Sequence, residues 1–88
     1  MNNEFEAILY PIAELLEKKN TDYGDSFKKL RDEYGPTSFY IRLTDKFNRL
    51  KQLDKAGALV KDETVIDTLK DMIGYVTLEI RYREAQKK

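Results

Sequence analysis

Apolar residues recur every three or four positions in four segments of the chain, and no segment has the alternation typical of a strand. The first segment carries one apolar stripe, formed by Phe5, Ile8, Leu9, Ile12, Leu15 and Leu16. Pro11 falls inside this stripe, where proline either kinks a helix or occupies its first turn. The cations that suit a helix C-terminus follow at Lys18 and Lys19, so we expect the first helix to end near Asn20.

A short second helix is predicted between two turn signals. Residues 21–24 are expected to form a turn, after which Asp25 or Ser26 caps a helix that ends near Tyr34. The Gly-Pro dipeptide that follows Tyr34 is the clearest break in the chain.

The remaining two segments predict two long helices, at about 38–54 and 63–82. Thr37 or Ser38 is expected to cap the first, whose buried face would hold Phe39, Leu43, Phe47, Leu50 and Leu53. Thr64 and Asp67 match the capping pattern that opens a helix. The last helix carries the longest apolar stripe in the sequence, made of Val65, Ile66, Leu69, Met72, Ile73, Val76 and Ile80. The charged tail after it, from Arg81 onward, is expected to fray.

These patterns predict an all-α fold, a small helical bundle of about four helices in one domain over residues 1–88. The two long helices would be antiparallel and form its backbone. A chain of 88 residues builds a modest core, and association is a common remedy, so a homo-oligomer is expected.

Composition narrows the possible chemistry. The chain has no cysteine and no histidine, which excludes thiolate or imidazole catalysis and nearly all zinc sites. No cofactor is required by any motif, and Mg²⁺ or Mn²⁺ held by carboxylates is the metal chemistry that remains open.

The net charge and the hydropathy of the chain limit its possible partners and its possible location in the cell. The sixteen basic and sixteen acidic side chains cancel, which argues against a protein that coats DNA. No apolar run approaches the roughly 20 residues that span a bilayer, and no signal peptide is recognised at the N-terminus. We therefore expect a cytoplasmic protein without a membrane partner.

Three clusters of polar residues could carry function, and the first is the predicted turn. Lys19, Asn20, Asp22 and Tyr23 stand together before Gly24. They either join two helices, as such residues commonly do, or face a ligand, with the tyrosine stacked on a base and the ammonium near a phosphate.

The second cluster is a cationic stripe on the first long helix. Arg42, Asp45, Lys46 and Arg49 are three or four residues apart and share one side. An Asp45–Arg49 pair would leave Arg42 and Lys46 without an obvious partner in the helix, and such cations could receive a phosphate chain.

The third cluster is acidic and lies on the last helix. Glu63, Asp67 and Asp71 line one face at four-residue spacing. Asp71 is too far from the helix start to be explained by the helix dipole, so it should have a cation beside it. An ionic network between the long helices, a magnesium or phosphate site and plain solvated charge all remain open.

The clusters together resemble the nucleotide modification associated domain 1 family, which is common in phage and prophage genomes. The matching pattern runs Lys19-Asn20-x-Asp22-Tyr23-Gly24-x-Ser26-Phe27, then Arg42-x-x-Asp45-Lys46-x-Asn48-Arg49-Leu50, then Asp62-Glu63-x-x-x-Asp67-Thr68-Leu69-x-Asp71. Family members usually have serine where this chain has Thr64. The resemblance implies a role in nucleotide metabolism or base modification, without assigning a catalytic residue.

A more distant similarity is to the all-α nucleotide pyrophosphohydrolases of the MazG type. Those enzymes hold magnesium over a triphosphate with carboxylates on two facing helices. The equivalent set here would be Asp45, Glu63, Asp67 and Asp71, but Lys46 and Arg49 stand where a metal cage would want further carboxylates.

The leading hypothesis is a phage-type protein that binds or sequesters a phosphorylated nucleotide in the host cytoplasm, either a host-defence signal or a modification intermediate. Its binding residues would be Lys19, Asn20, Asp22, Tyr23, Arg42, Lys46, Arg49, Asp67 and Asp71. One alternative is the Mg²⁺-dependent pyrophosphohydrolase. The other is a protein-interaction module that inhibits a host protein through its tyrosines.

Overall fold

The computed structural model describes residues 3–56 and 62–87, which form four α-helices. The helices are α1 (Glu4–Asp22), α2 (Ser26–Tyr34), α3 (Thr37–Ala56) and α4 (Asp62–Gln86). No strand occurs within these two ranges, so the predicted all-α bundle is confirmed. The side chains of Asp62 and Glu63 lie outside the described set.

The first helix begins with a capping box. The side chain of Asn3 accepts hydrogen bonds from the backbone N–H groups of Phe5 and Glu6, each at 2.9 Å, and the Asn3 N–H donates to the Glu6 carboxylate at 3.0 Å. Since α1 starts at Glu4, Pro11 lies inside the helix and does not start it.

The corner between α1 and α2 is tighter than the predicted turn, because α1 continues to Asp22. Gly24 and Asp25 then take positive φ values of 60° and 57°, and these two left-handed residues reverse the chain. The side chain of Asp25 does not cap α2, contrary to expectation. Its carboxylate binds Arg81 at 2.8 Å instead, and this bond ties the corner to α4.

Both long helices match their predicted bounds of about 38–54 and 63–82 to within four residues, and each begins one residue earlier. Gly35, with a φ of 74°, ends α2, and α3 starts directly after Pro36. Thr37 and Ser38 are therefore inside α3 and do not cap it. In α4, Thr64 is also inside the helix, where its carbonyl accepts from the Thr68 hydroxyl at 2.8 Å.

Long-range contacts establish that α3 and α4 are antiparallel. Lys46 pairs with Asp71, Arg42 lies over Tyr75, and Phe39 packs in one cluster with Leu78. Position rises along α4 as it falls along α3, as the sequence predicted. This pair forms the largest helix–helix interface of the described residues.

The core is small and takes one to three side chains from each helix. Phe27, Phe39 and Leu78 form a buried cluster, with the Phe27 and Phe39 rings edge to face at 6.4 Å between centroids. Leu16, Leu43, Tyr75 and Tyr82 pack around it.

The predicted buried face of α3 is confirmed at Phe39, which is buried, and at Leu43, Leu50 and Leu53, which are half-buried, but not at Phe47. Phe47 on α3 is half-exposed, and the ammonium of Lys51 lies 4.9 Å from its ring centroid. The longest apolar stripe of the sequence is not the side on which α4 packs, since the core residues Tyr75 and Leu78 lie on the other side of the helix.

The end of α4 is also ordered beyond the predicted point. The helix continues to Gln86, and Arg81, Tyr82 and Arg83 each bind a carboxylate. The expected fraying from Arg81 is therefore wrong. None of the helices is long and apolar enough to span a membrane across the described ranges.

Candidate functional site

A pocket of about 230 Å³ opens where the α1–α2 corner meets α3 and α4. Its walls combine polar groups with an apolar floor, and the lining residues are Leu16, Lys19, Asn20, Tyr23, Ser26, Phe27, Arg42, Asp71, Gly74, Tyr75 and Leu78. Five residues that the sequence selected as candidates are among them: Lys19, Asn20, Tyr23, Arg42 and Asp71. The helices thus bring together side chains from all three sequence clusters.

The corner residues reach the pocket because α1 ends there. The carbonyl of Lys19 accepts a hydrogen bond from the Tyr23 N–H at 3.0 Å, which holds Tyr23 at the C-cap. Tyr23 is 69% exposed and lines the pocket, so its side chain lies at the pocket rim. Lys19 is also exposed and lines the same rim.

Asn20 links this rim to α4 through a small network. With its amide nitrogen facing Asp25, Asn20 donates to the Asp25 carboxylate at 3.0 Å and accepts from the Arg81 guanidinium at 3.3 Å. Because both its donor and its acceptor are engaged, Asn20 shapes the corner as well as lining the pocket.

Arg42 is the cation on the α3 side of the pocket. Its guanidinium carbon lies 5.7 Å from the centroid of the Tyr75 ring, and one of its nitrogens donates to the Tyr75 hydroxyl at the long distance of 3.5 Å. No carboxylate of the described chain forms an ion pair with Arg42. A half-buried guanidinium with weak protein contacts can accept a bidentate anion.

Asp71 forms an ion pair with a cation of α3, as the sequence predicted. Its carboxylate accepts from the Lys46 ammonium at 3.0 Å across the α3–α4 interface, which confirms the expected partner. Both side chains are partly exposed, so the pair contributes at most about 1 kcal/mol to stability. Lys46 itself is not part of the pocket lining.

The other candidates lie apart from the pocket. Asp22, Arg49 and Asp67 are exposed and do not line it. Asp45 is also exposed, and the expected pair between Asp45 and Arg49 is absent from the ion pairs of the described ranges.

Among the described side chains, the carboxylates do not assemble into a metal cage. In residues 3–56 and 64–87, no three carboxylates come close enough to hold an ion. The prediction for Glu63 concerns a side chain outside the described set. The carboxylate of Asp71 is bound to the Lys46 ammonium, a positive charge that would repel a metal ion at that oxygen.

Several pocket residues were not selected from the sequence as candidates. Tyr75 follows Asp71 by four residues and so shares its helix face, a spacing that could have identified it. Gly74 is a glycine in a helix interior, which signals a close approach. A Cβ at Gly74 would lie 3.6 Å from a methyl group of Leu16, so α1 passes close to α4 at this point.

A smaller cleft adjoins the pocket between α1 and α4. It measures about 140 Å³ and is mainly apolar, with Pro11, Ile12, Leu15 and Lys70 in its walls. Leu16, Lys19 and Gly74 line both spaces. A ligand bound in the pocket would therefore lie next to this apolar cleft, which continues along α1.

A second concentration of charge, the ionic junction, joins α2 to the end of α4. Glu79 is 5% exposed, and its carboxylate accepts two hydrogen bonds from Arg31, each at 2.8 Å, and one from Arg83. The bidentate contact with Arg31 is the main cause that lowers the pKa of Glu79, with Arg83 adding to it against the effect of burial. Hydrogen bonds from Lys28 and Tyr82 to Asp32 complete the junction, and the tyrosine contributes most to lowering the Asp32 pKa.

The fold and the pocket define a small all-α protein with a polar cleft between its first corner and its long helix pair. The chain belongs to the family described as nucleotide modification associated domain 1, whose model matches residues 19–80. The matched segment contains every pocket residue except Leu16. No curated protein and no solved structure matches the chain.

Proposed function

We propose that this protein binds a phosphorylated nucleotide in the pocket formed by the α1–α2 corner, α3 and α4. The observation that carries the proposal is the position of Arg42, a half-buried guanidinium without a carboxylate partner among the described residues, across the pocket from Lys19 and Tyr23. The family name, which refers to nucleotide modification, is compatible with this ligand class.

The chemistry of the walls supports an orientation for the ligand. Arg42 offers two parallel donors to phosphate oxygens, and Lys19 adds a second positive charge at the rim. Tyr23 presents an exposed ring on which a base stacks. Asp71 accepts hydrogen bonds from sugar hydroxyls or a base amino group, and its negative charge directs the phosphates toward Arg42.

The size of the pocket limits what it encloses. A volume of about 230 Å³ lies below the roughly 300–1,000 Å³ that surrounds a drug-sized ligand. We propose that one part of the nucleotide enters, and that the remainder lies over the rim formed by Lys19 and Tyr23. The other cations of the α3 stripe, Lys46 and Arg49, would meet only a ligand with a longer phosphate chain.

Two settings fit such a protein in the cytoplasm of a host cell. As a phage-encoded protein it would sequester a nucleotide signal of host defence, or it would hold a nucleotide intermediate during base modification. Cyclic nucleotides are the ligands that would test the first role, and nucleoside mono- and triphosphates are those that would test the second. We also propose a homo-oligomer as the working form.

A Mg²⁺-dependent pyrophosphohydrolase receives less support. Such an enzyme needs carboxylates that converge on the metal. Asp45 and Asp67 are exposed and apart from the pocket, and Asp71 is bound to Lys46. Pyrophosphate release that requires Mg²⁺ and disappears in Asp71→Asn would reverse this assessment.

Isothermal titration against cyclic nucleotides, nucleoside monophosphates and nucleoside triphosphates tests the proposal. Saturable heat is expected with at least one class in the absence of added metal. The same titrations with Arg42→Ala distinguish pocket binding from surface binding. Absence of heat with all three classes would contradict the proposed function.

A further inference from the structure

The pocket is assembled from two parts of the chain that are distant in sequence. Lys19, Asn20 and Tyr23 come from the α1–α2 corner. Arg42 and Asp71 come from α3 and α4. One nucleotide can contact both parts only if the corner is held at a fixed distance from the long helices. Contacts that hold the corner against α4 therefore bear on binding, even where they do not line the pocket.

The corner, residues 19–25, has its own hydrogen bonds. The Gly24 N–H donates to the Thr21 carbonyl at 3.2 Å, and the Asp25 N–H donates to the Asn20 carbonyl at 3.0 Å. Gly24 and Asp25 are both left-handed, a conformation that is uncommon for a residue with a side chain. These bonds are all local, so they shape the turn without fixing its position relative to α4.

Arg81 of α4 provides the long-range connection. One terminal nitrogen of its guanidinium donates to the Asp25 carboxylate at 2.8 Å, and the other donates to the side-chain oxygen of Asn20 at 3.3 Å. The Asn20 amide nitrogen donates to the same Asp25 carboxylate at 3.0 Å. The planar guanidinium is suited to holding two acceptors at once. We refer to these three mutually bonded side chains as the corner network.

The corner network has no substitute among the described residues. Of the side-chain hydrogen bonds and ion pairs in residues 3–56 and 62–87, those of Arg81 alone join the corner to α3 or α4. The side chain of Arg81 is 49% exposed, and that of Asp25 is 33% exposed. An ion pair this exposed contributes little to global stability. Its loss should therefore be felt mainly in the position of the corner.

We propose that Arg81 is a positioning residue for the nucleotide pocket. By binding Asp25 and Asn20, it holds Lys19 and Tyr23 in place at the rim before the ligand arrives. Groups that are already held in place lose less conformational freedom on binding, so affinity rises. Arg81 does not line the pocket, so it acts through the corner and not on the ligand. The inference rests on the proposed function, because it concerns the same pocket.

Calorimetric titration with the tightest-binding nucleotide tests the effect on affinity. Arg81→Ala should weaken binding about fivefold, because the corner must then be ordered when the ligand binds. Arg83→Ala is the matched control, since Arg83 is also an arginine of α4, has a side-chain exposure of 55% against 49%, and binds Glu79 instead of the corner. It breaks a bond to a buried carboxylate, so a general loss of stability would affect it at least as much. Arg81→Lys retains a charge opposite Asp25 and should recover most of the affinity.

Amide hydrogen exchange of the free protein tests the position of the corner without any ligand. In Arg81→Ala the amides of Gly24 and Asp25 should exchange several times faster than in the wild type, whereas Arg83→Ala should leave them unchanged. Circular dichroism verifies that the variants are helical.

A double variant tests whether Arg81 acts through Asp25. Asp25→Asn removes the charge and retains a residue that tolerates the left-handed conformation. Arg81→Ala/Asp25→Asn should bind no more weakly than Arg81→Ala, because both changes break the same contact.

Two kinds of failure are distinguishable. If the wild type binds nucleotide, then unchanged exchange at Gly24 and Asp25 in Arg81→Ala, equal affinity losses in Arg81→Ala and Arg83→Ala, or additive losses in the double variant each overturn the role of Arg81 alone. If the wild type binds no nucleotide, the proposed function is wrong and the positioning role falls with it.

Discussion

The ionic junction around Glu79 and the pocket beside Arg42 both include residues of α4 and several charged side chains. They differ in how completely these charges are paired with other groups of the protein. At the junction, a buried carboxylate accepts three hydrogen bonds from two arginines. In the pocket, the guanidinium of Arg42 lies over the Tyr75 ring and makes one long hydrogen bond, to the hydroxyl of the same tyrosine. The first arrangement is complete without a ligand and stabilises the fold. The second leaves donor capacity that an anion can use, which makes it the better candidate for function.

The difference yields opposite expectations for mutations in the two regions. Changes at the junction should reduce stability and leave ligand affinity intact in the folded protein. Changes in the pocket should reduce affinity and leave stability nearly intact.

The largest effect is expected from Glu79→Gln. Removing the carboxylate leaves Arg31 and Arg83 facing each other without a counter-charge, which should lower the free energy of unfolding by about 3 kcal/mol. Urea denaturation measures this change. Glu33→Gln is the control, because Glu33 is an exposed carboxylate outside the ion pairs of the described chain.

The same variant should alter the response to acid. The pKa of Glu79 is lowered in the folded state, mainly by Arg31. The stabilisation is therefore present above the ordinary glutamate pKa of about 4.3, and it is lost as pH falls through the lowered pKa. Glu79→Gln should lose less stability than the wild type over this range, and equal losses would contradict the role of the junction.

Arg42→Ala should have the largest effect on binding. Losing a charged donor to phosphate costs about 2 kcal/mol, or roughly 30-fold in affinity. Arg49→Ala compares the same residue type two turns along α3 and outside the pocket, and it should change affinity less than about threefold. Similar losses in the two variants would favour the whole cationic stripe over the pocket.

Tyr23 tests the stacking contact at the rim. Tyr23→Ala should weaken binding about 10-fold, the typical value of one base–aromatic stack. Tyr23→Phe retains the ring and should bind nearly as well as the wild type. If the phenylalanine variant were as weak as the alanine variant, the hydroxyl would be the important group and the stacking assignment would be wrong.

The smallest effect is a gain in stability from Gly74→Ala. Glycine in a helix interior is less favourable than alanine by up to about 1 kcal/mol, and the nearest atom to the new Cβ lies at an ordinary contact distance of 3.6 Å. Thermal unfolding should show a modest rise in midpoint. A fall would mean that α1 packs against α4 more tightly than this distance implies.

The sequence predicted those features that depend on neighbouring residues. The Gly35-Pro36 break, the antiparallel long helices and a cation beside Asp71 all follow from local signals or from four-residue spacing. Helix starts were less predictable because Asn3 caps α1 through its side chain, whereas Asp25 uses its side chain to bind Arg81. A capping residue can serve either purpose, and only the tertiary contact decides between them.

The sequence did not predict which helix face packs against which neighbour, because this depends on the tertiary arrangement of the four helices. The longest apolar stripe in the chain lies on α4, yet its residues Ile66, Leu69, Val76 and Ile80 are exposed, since periodicity identifies an apolar side of a helix without identifying what packs against it. The junction was not predicted, because Arg83 belongs to the charged end, from Arg81 onward, that was expected to fray, and because the bond between Glu79 and Arg31 depends on the packing of α2 against α4. For the pocket, the sequence selected Lys19, Tyr23 and Arg42 separately, and the packing of three helices places them around one space.

A ¹H–¹⁵N NMR titration of the wild type with the tightest-binding nucleotide tests the pocket most directly. We expect saturable shift changes at the amides of residues 19–27, at Arg42 and at residues 71–78, with little change near Arg49, Asp67 or Glu79. Changes concentrated at Arg49 and Asp67, or no saturable change in the pocket residues, would contradict the proposal that this pocket binds the nucleotide.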